Sequence, residues 1–148
     1  MPLLIVGSAI FFNCINAGLN GYFLANFDSY KPESFYQLNF IIGIFLFLIG
    51  FFINQRSDYL LIHLRKPGET GYKIPKGFLF KYISCPNLFG ELVQWIGFAL
   101  MAWNLPALTF LVWTFANLMP RALGHHKWYR NNFEAYPEKR KAVLPGIL

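Results

Sequence analysis

Charge is what this sequence has least of. Lys, Arg, Asp and Glu make up 14% of its 148 residues, where a soluble domain carries about a quarter. The remainder is 55% apolar and 20% aromatic, with 17 Phe. Such a chain has too little polar surface to cover itself in water, so lipid is its expected solvent. Cysteine is nearly absent. Cys14 and Cys85 lie in or beside apolar runs without framework spacing, which excludes a disulfide scaffold and leaves two inert fillers. Histidine is equally sparse: His63 is isolated, and the adjacent His125 and His126 would point about 100° apart on a helix. No metal site is expected from them. Gly-rich phosphate loops of the GxGxxG or P-loop kind are missing, so the familiar soluble nucleotide folds offer no guide. No spacing supports a Ser-His-Asp or Cys-His centre. A cleavable leader is not visible either, because Met1-Pro2 opens directly onto apolar residues. There is no internal repeat, second domain or low-complexity stretch.

What is present is a set of apolar runs, at residues 3–24, 38–53, 88–103 and 105–119. A membrane span needs about 20 residues, fewer where flanking residues extend the helix. The last two runs are too long for one crossing, and Asn104-Leu105-Pro106 between them reads as a hairpin with Pro106 in the first turn of the second helix. The sequence therefore predicts an all-α membrane protein with four transmembrane helices. Four crossings place residues 54–86 and 121–148 on one side, and those segments hold twelve of the thirteen Lys and Arg. The opposite loop, residues 26–34, holds Lys31 alone. The positive-inside rule makes both basic segments cytosolic, the C-terminus with them. Residues 66–81 carry turn chemistry in Lys66-Pro67-Gly68 and Ile74-Pro75-Lys76-Gly77, and read as a structured loop. Tyr136-Pro137 is expected to end a terminal helix, and Leu144-Pro145-Gly146 an irregular tail.

Polar side chains in such a chain usually face protein or water. At about 100° per residue, Asn54 and Asp58 share one helix face, joined by Arg65 if the helix persists that far. Arg121, His125 and Trp128 form a second stripe with Tyr129 at its edge, and Asn87 and Glu91 a third, one turn apart. Each stripe has two readings: a solvated interfacial face with aromatic anchors, or the wall of a site. As a site, cations, carboxylates, amides and aromatics around one basic loop suit a polyanionic, ring-containing ligand. A phosphorylated dinucleotide and an anionic lipid headgroup both meet that description. Nucleic acid is not expected, since topology accounts for the basic residues.

Several stretches resemble the steroid 5α-reductase family. They are Asn54-Gln55-Arg56-Ser57-Asp58 through Arg65-Lys66-Pro67-Gly68; Gly71-Tyr72-Lys73-Ile74-Pro75-Lys76-Gly77 with Phe80 and Tyr82; Pro86-Asn87 with Gly90-Glu91; and Arg121, His125-His126, Trp128-Tyr129, Phe133, Tyr136-Pro137 and Arg140-Lys141. With Gly21-Tyr22, the likeness covers essentially the whole chain. The resemblance implies a seven-span helical reductase that uses NADPH to reduce the 4,5 double bond of 3-oxo-4-ene steroids, with this chain supplying the last four spans. It implies that Asn54, Asp58, Arg65, Tyr72, Asn87, Glu91, Arg121, His125 and Tyr129 line the NADPH pocket. Arg65 and Arg121 would meet phosphate, Asn87 and Glu91 the nicotinamide end, and Trp95 the substrate side. Family members carry three further spans upstream, which hold the donor to the steroid ketone. The catalytic residues are thus expected outside this chain, and the missing helices become an expected partner beside the steroid or lipid substrate and membrane lipid. The resemblance implies the endoplasmic reticulum for a eukaryotic source and the inner membrane for a bacterial one.

Three alternatives accompany this reading. A trans-2-enoyl-CoA reductase has the same fold and cofactor, although the Lys-Pro-Gly and Ile-Pro-x-Gly loop chemistry favours the steroid branch. An isoprenylcysteine methyltransferase would bind S-adenosylmethionine, but its Arg-His-Pro signature is missing. A catalytically incomplete remnant would bind only membrane partners or lipid.

Overall fold

Four helices follow one another in the order of the apolar runs: α1 (Leu3–Asn26), α2 (Leu38–Ile62), α3 (Pro86–Ala102) and α4 (Leu105–Asn132). The structure, a computed structural model, describes residues 3–26 and 32–146; Lys31, counted in the opposite loop, lies outside the described residues. Short 3₁₀ turns at Pro32–Tyr36 and Phe78–Lys81 precede α2 and α3. Among the described residues there is no strand, only an isolated parallel bridge between Ile83 and Lys141.

Helix α2 is the one described helix long and apolar enough to cross a membrane, with a mean hydropathy of 2.0 in its most apolar window. Only 11% of that window is buried, whereas the core helix of a soluble domain is mostly buried. Its Ile41, Phe45, Leu48 and Phe52 all face outward.

The main contact in the molecule is the antiparallel seam between α2 and α3, and glycine makes it possible. Gly43 and Gly50 on α2 meet Gly97 and Gly90 on α3, each pair seven residues apart. A methyl group at Gly50 would lie 2.3 Å from the Gln94 backbone nitrogen, and one at Gly90 would lie 2.5 Å from that of Asn54. The two backbones therefore touch, with no room for a side chain between them. Asparagines tie both ends of the seam. Asn39 Nδ2 donates to the Leu100 carbonyl (3.2 Å), and Asn54 Nδ2 to the Asn87 carbonyl (3.1 Å).

The expected hairpin joins α3 to α4. Trp103 ends α3 in the left-handed conformation (φ 45°), and the Asn104 side chain accepts from the Ala107 N–H at 3.0 Å, with Pro106 in the first turn. Helix α4 then passes through Pro120 and ends at Asn132, capped by Phe133. The expectation that Tyr136-Pro137 ends this helix is thus corrected: the chain leaves helical geometry before Tyr136. Helix α1 rests on α4 through Phe12, whose ring lies 5.5 Å from Trp113 and 6.1 Å from Phe110.

The tail is irregular, as expected, but it is not loose. Residues 140–143 run beside 82–85: Lys141 N–H donates to the Tyr82 carbonyl (2.9 Å), Ser84 N–H to that of Lys141 (2.8 Å), and Cys85 N–H to that of Ala142 (3.1 Å). Ile83 and Val143 are fully buried beneath this pairing. Val143, Cys85, Leu88, Leu92, Leu118 and Ala122 form one core cluster, which fastens the tail to the facing ends of α3 and α4.

Candidate functional site

Beyond the last glycine contact, the α2–α3 seam opens into polar side chains. Gly90 lets the helices approach until Asn54 reaches the Asn87 carbonyl, and one turn further along α2 the Asn87 amide donates to Asp58 Oδ1 at 3.1 Å. Asn54, Asp58 and Asn87 thus form one interhelical cluster, all half-buried. Glu91 follows on the same face of α3, takes a hydrogen bond from the Trp95 indole, and lies within electrostatic reach of Arg121 on α4 and of Asp58. Three helices thereby bring two carboxylates, two amides and a guanidinium to one end of the bundle. Asn54 and Asp58 of the first stripe, Asn87 and Glu91 of the third, and Arg121 of the second lie together at that end.

Other predicted positions are placed differently. Helix α2 stops at Ile62 with His63 as its cap, so the register that would carry Arg65 onto the Asn54–Asp58 face is broken, and Arg65 is exposed in the following loop. His125 is also exposed. Tyr72, 73% exposed, packs edge-on against Trp128 at 4.8 Å. Trp128 in turn meets Tyr129 (5.3 Å) and Phe133 (5.9 Å). Tyr129 stacks nearly parallel on Tyr136, with centroids 5.5 Å apart and an interplanar angle of 10°. Burial raises the Tyr129 phenol above its ordinary range, and the neighbouring Cys85 and Tyr136 act in the same direction. Tyr129 therefore stays a neutral hydrogen-bonding group at physiological pH.

The basic loop between α2 and α3 is held from both sides. Lys73 and Glu69 form its ion pair, which lowers the Glu69 carboxyl below the usual range. Pro75 is fully buried, and its carbonyl accepts from Arg140 Nη2 at 3.3 Å. Arg140 is itself only 4% exposed, and its guanidinium lies 4.9 Å over the Tyr136 ring. Cys14 and Cys85 are free thiols; burial pushes Cys85 up to about 12. Among the described residues no group of three His, Cys, Asp or Glu could hold a metal ion.

Apolar space lies elsewhere. The groove between α1 and α4, of about 480 Å³, is lined by aromatics such as Phe12, Phe110 and Trp113, with Asn16 and Asn20 as polar members. It touches the polar cluster through one relay: Trp95, bonded to Glu91, packs edge-on against Phe110 at 4.5 Å.

Sequence reasoning gave Ser84, Tyr136 and Arg140, all buried, no place in the site, and passed over the pairing of the glycines. The glycine signal was readable in the seven-residue spacing of Gly43/Gly50 and Gly90/Gly97. No local signal marks Ser84, whose importance comes from partners 42 to 57 residues away.

Comparison with known proteins bears on this arrangement. A family model described as 3-oxo-5-alpha-steroid 4-dehydrogenase matches residues 1–148. The chain is 45% identical over 140 residues to 3-oxo-5-alpha-steroid 4-dehydrogenase 1 of Rattus norvegicus, which covers 95% of this chain and 54% of the rat protein. Identity to the Bos taurus type 1 protein is 46% over 148 residues, covering 100% of this chain and 58% of that one. For the Sus scrofa type 2 protein it is 47% over 135 residues, covering 90% and 53%. The chain thus spans a little over half the length of the curated relatives it matches.

Proposed function

The chain belongs to the 3-oxo-5-alpha-steroid 4-dehydrogenase family, and from that premise we propose that it forms the NADPH-holding part of a membrane reductase acting on the C=C bond of 3-oxo-4-ene steroids. The observation that carries the proposal is the interhelical cluster of Asn54, Asp58 and Asn87, with Glu91 and Arg121 beside it.

The donor set suits a phosphorylated dinucleotide. Arg121 and His125 on α4, with Arg65 and Tyr72 on the loop, offer cations and a ring at the exposed rim, where phosphates and a base would lie. Asn87 and Glu91 offer an amide and a carboxylate deeper in the seam, the pairing that a carboxamide requires. When bound, the cofactor supplies the hydride. The chain's own part is positioning. Asp58 fixes the Asn87 amide, Asn54 fixes the turn that presents it, and the Trp95 indole holds the Glu91 carboxyl. Trp95 also marks the passage to the apolar groove, where a rigid apolar substrate would lie against aromatic faces. The group that polarises the steroid ketone belongs, on this reading, to spans upstream of residue 1, so turnover requires them. All four helices cross the bilayer with the basic loop and tail on the cytosolic side, at the endoplasmic reticulum in a eukaryotic cell.

Titration of NADPH into the purified chain in detergent, beside NADH, tests the proposal. Saturable binding that prefers NADPH is expected, with Asn87→Leu weakening it at least about tenfold, because the site loses the Asn87 amide and Asp58 loses its hydrogen-bond partner. Arg121→Glu should weaken NADPH more than NADH. Equal affinity for the two dinucleotides, or none, would overturn the cofactor assignment. Binding of S-adenosylmethionine would instead favour a methyltransferase.

A further inference from the structure

Ser84 is 4% exposed, lies just before α3, and has three partners on its hydroxyl. His126 Nδ1 lies 2.6 Å from its oxygen, the Tyr136 hydroxyl is hydrogen-bonded to it, and it donates to the Lys141 carbonyl at 3.0 Å. Taking all three contacts as hydrogen bonds, hydrogen counting fixes their directions. A serine hydroxyl has one proton and two lone pairs, and a carbonyl can only accept. The Ser84 proton is therefore committed to Lys141, so Tyr136 and His126 must both donate to Ser84. His126 thus carries its proton on Nδ1. All three bonds cross between elements: the segment before α3, helix α4, and the tail.

Two candidate cofactor residues hang on this hub. Tyr129 lies one turn from His126 along α4 and stacks on the Tyr136 ring. His125 is next to His126 in the chain, so the rotation of α4 that satisfies Ser84 also sets the outward direction of His125. The Arg140 guanidinium also lies over the Tyr136 ring, 4.9 Å from its centroid.

We propose that Ser84 is a positioning residue for the cofactor face of α4, acting through the Tyr136 ring on Tyr129 and through His126 on helix rotation. Its effect on ligand rests on the NADPH reading; its effect on His126 does not. Two measurements on the full chain in detergent separate them. The first is ¹⁵N NMR of the histidine rings without cofactor. His126 should show the Nδ1–H tautomer, and Ser84→Ala should abolish that preference. Finding His126 as the Nε2–H tautomer in the unsubstituted chain would overturn the proposal, whatever binds.

The second is a double-mutant cycle on NADPH affinity using Ser84→Ala and Tyr129→Leu. Ser84→Ala alone should weaken binding about tenfold, and should lose most of that effect in the Tyr129→Leu background, leaving only the part carried through His126. Gly43→Ala, at the far end of the α2–α3 seam, serves as a control that lowers the melting temperature without touching this face, and should leave affinity unchanged. Independent, multiplying effects of the two substitutions would overturn the proposal. So would equal losses of affinity in Gly43→Ala and Ser84→Ala. If the unsubstituted chain fails to bind NADPH, the cofactor reading falls, and the tautomer measurement alone decides whether Ser84 orders this face.

Discussion

His126 shows how one residue can carry a condition-dependent share of stability. Burial holds its pKa below the ordinary 6.5, with Arg130, Arg140 and Lys141 acting in the same direction. The unfolded chain therefore takes up a proton at a pH where the folded chain still resists it. Stability is unaffected well above 6.5 and declines as pH falls through 6.5 toward the folded value. Melting temperatures between pH 7.5 and 5.5 should show this slope. His126→Asn, which keeps an N–H near the Nδ1 position but cannot titrate, should flatten it. An unchanged slope in that variant would assign it to other groups. The residue scale is also where the sequence was hardest to read. Asn87 and Glu91 were visible as polar residues one turn apart in an apolar helix, and they lie where that pattern implied. Ser84 was not visible, because a serine in a loop takes its meaning from distant partners. Arg65 was placed on a helix face by a register that the His63 cap interrupts.

Among the elements, helices and their one tight connection were legible, while their ends and their closeness were not. Asn104-Leu105-Pro106 specified the α3–α4 hairpin because capping and proline geometry are local. Helix ends were read too far along the chain: α2 stops at Ile62, short of Arg65, and α4 at Asn132, short of Tyr136. The α2–α3 contact depends on what is missing from four positions, and its consequence is open to measurement. Gly50→Ala and Gly90→Ala each place a methyl group inside the partner backbone's van der Waals radius. Each should cost at least about 1–3 kcal/mol, the usual toll of overpacking. Each should also weaken NADPH binding, since the same approach brings Asn54 to Asn87. By contrast, Gly18→Ala on α1, where nothing lies within 4 Å of the added atom, should leave the melting temperature unchanged or slightly higher. Matching losses at Gly18 and Gly50 would refute the seam.

The molecule as a whole divides into an apolar bundle and a polar cap at one end, and composition anticipated that division. Low charge pointed to lipid, and the distribution of Lys and Arg put the loop and tail on the same side. What composition could not convey is that loop and tail are joined. The buried core there mixes residues from the loop, α3, α4 and the tail, and Arg140 reaches from the tail to the Pro75 carbonyl. A chain cut after residue 139 should keep its helices by circular dichroism yet lose NADPH affinity and melt earlier. Full affinity in that shortened chain would show that the tail is dispensable to the site.

The bridge between Ile83 and Lys141 also sets a timetable. Its two halves are separated by the whole of α3 and α4, so loop closure over 58 residues must precede any gain from pairing. During synthesis, α2 and α3 can zip along their glycines as soon as both have left the ribosome. The cap must wait until the tail has emerged as well. For that interval the contact between α2 and α3 is made while the pairing of residues 82–85 with 140–143 is still open, so the cap is the last part of the molecule to close.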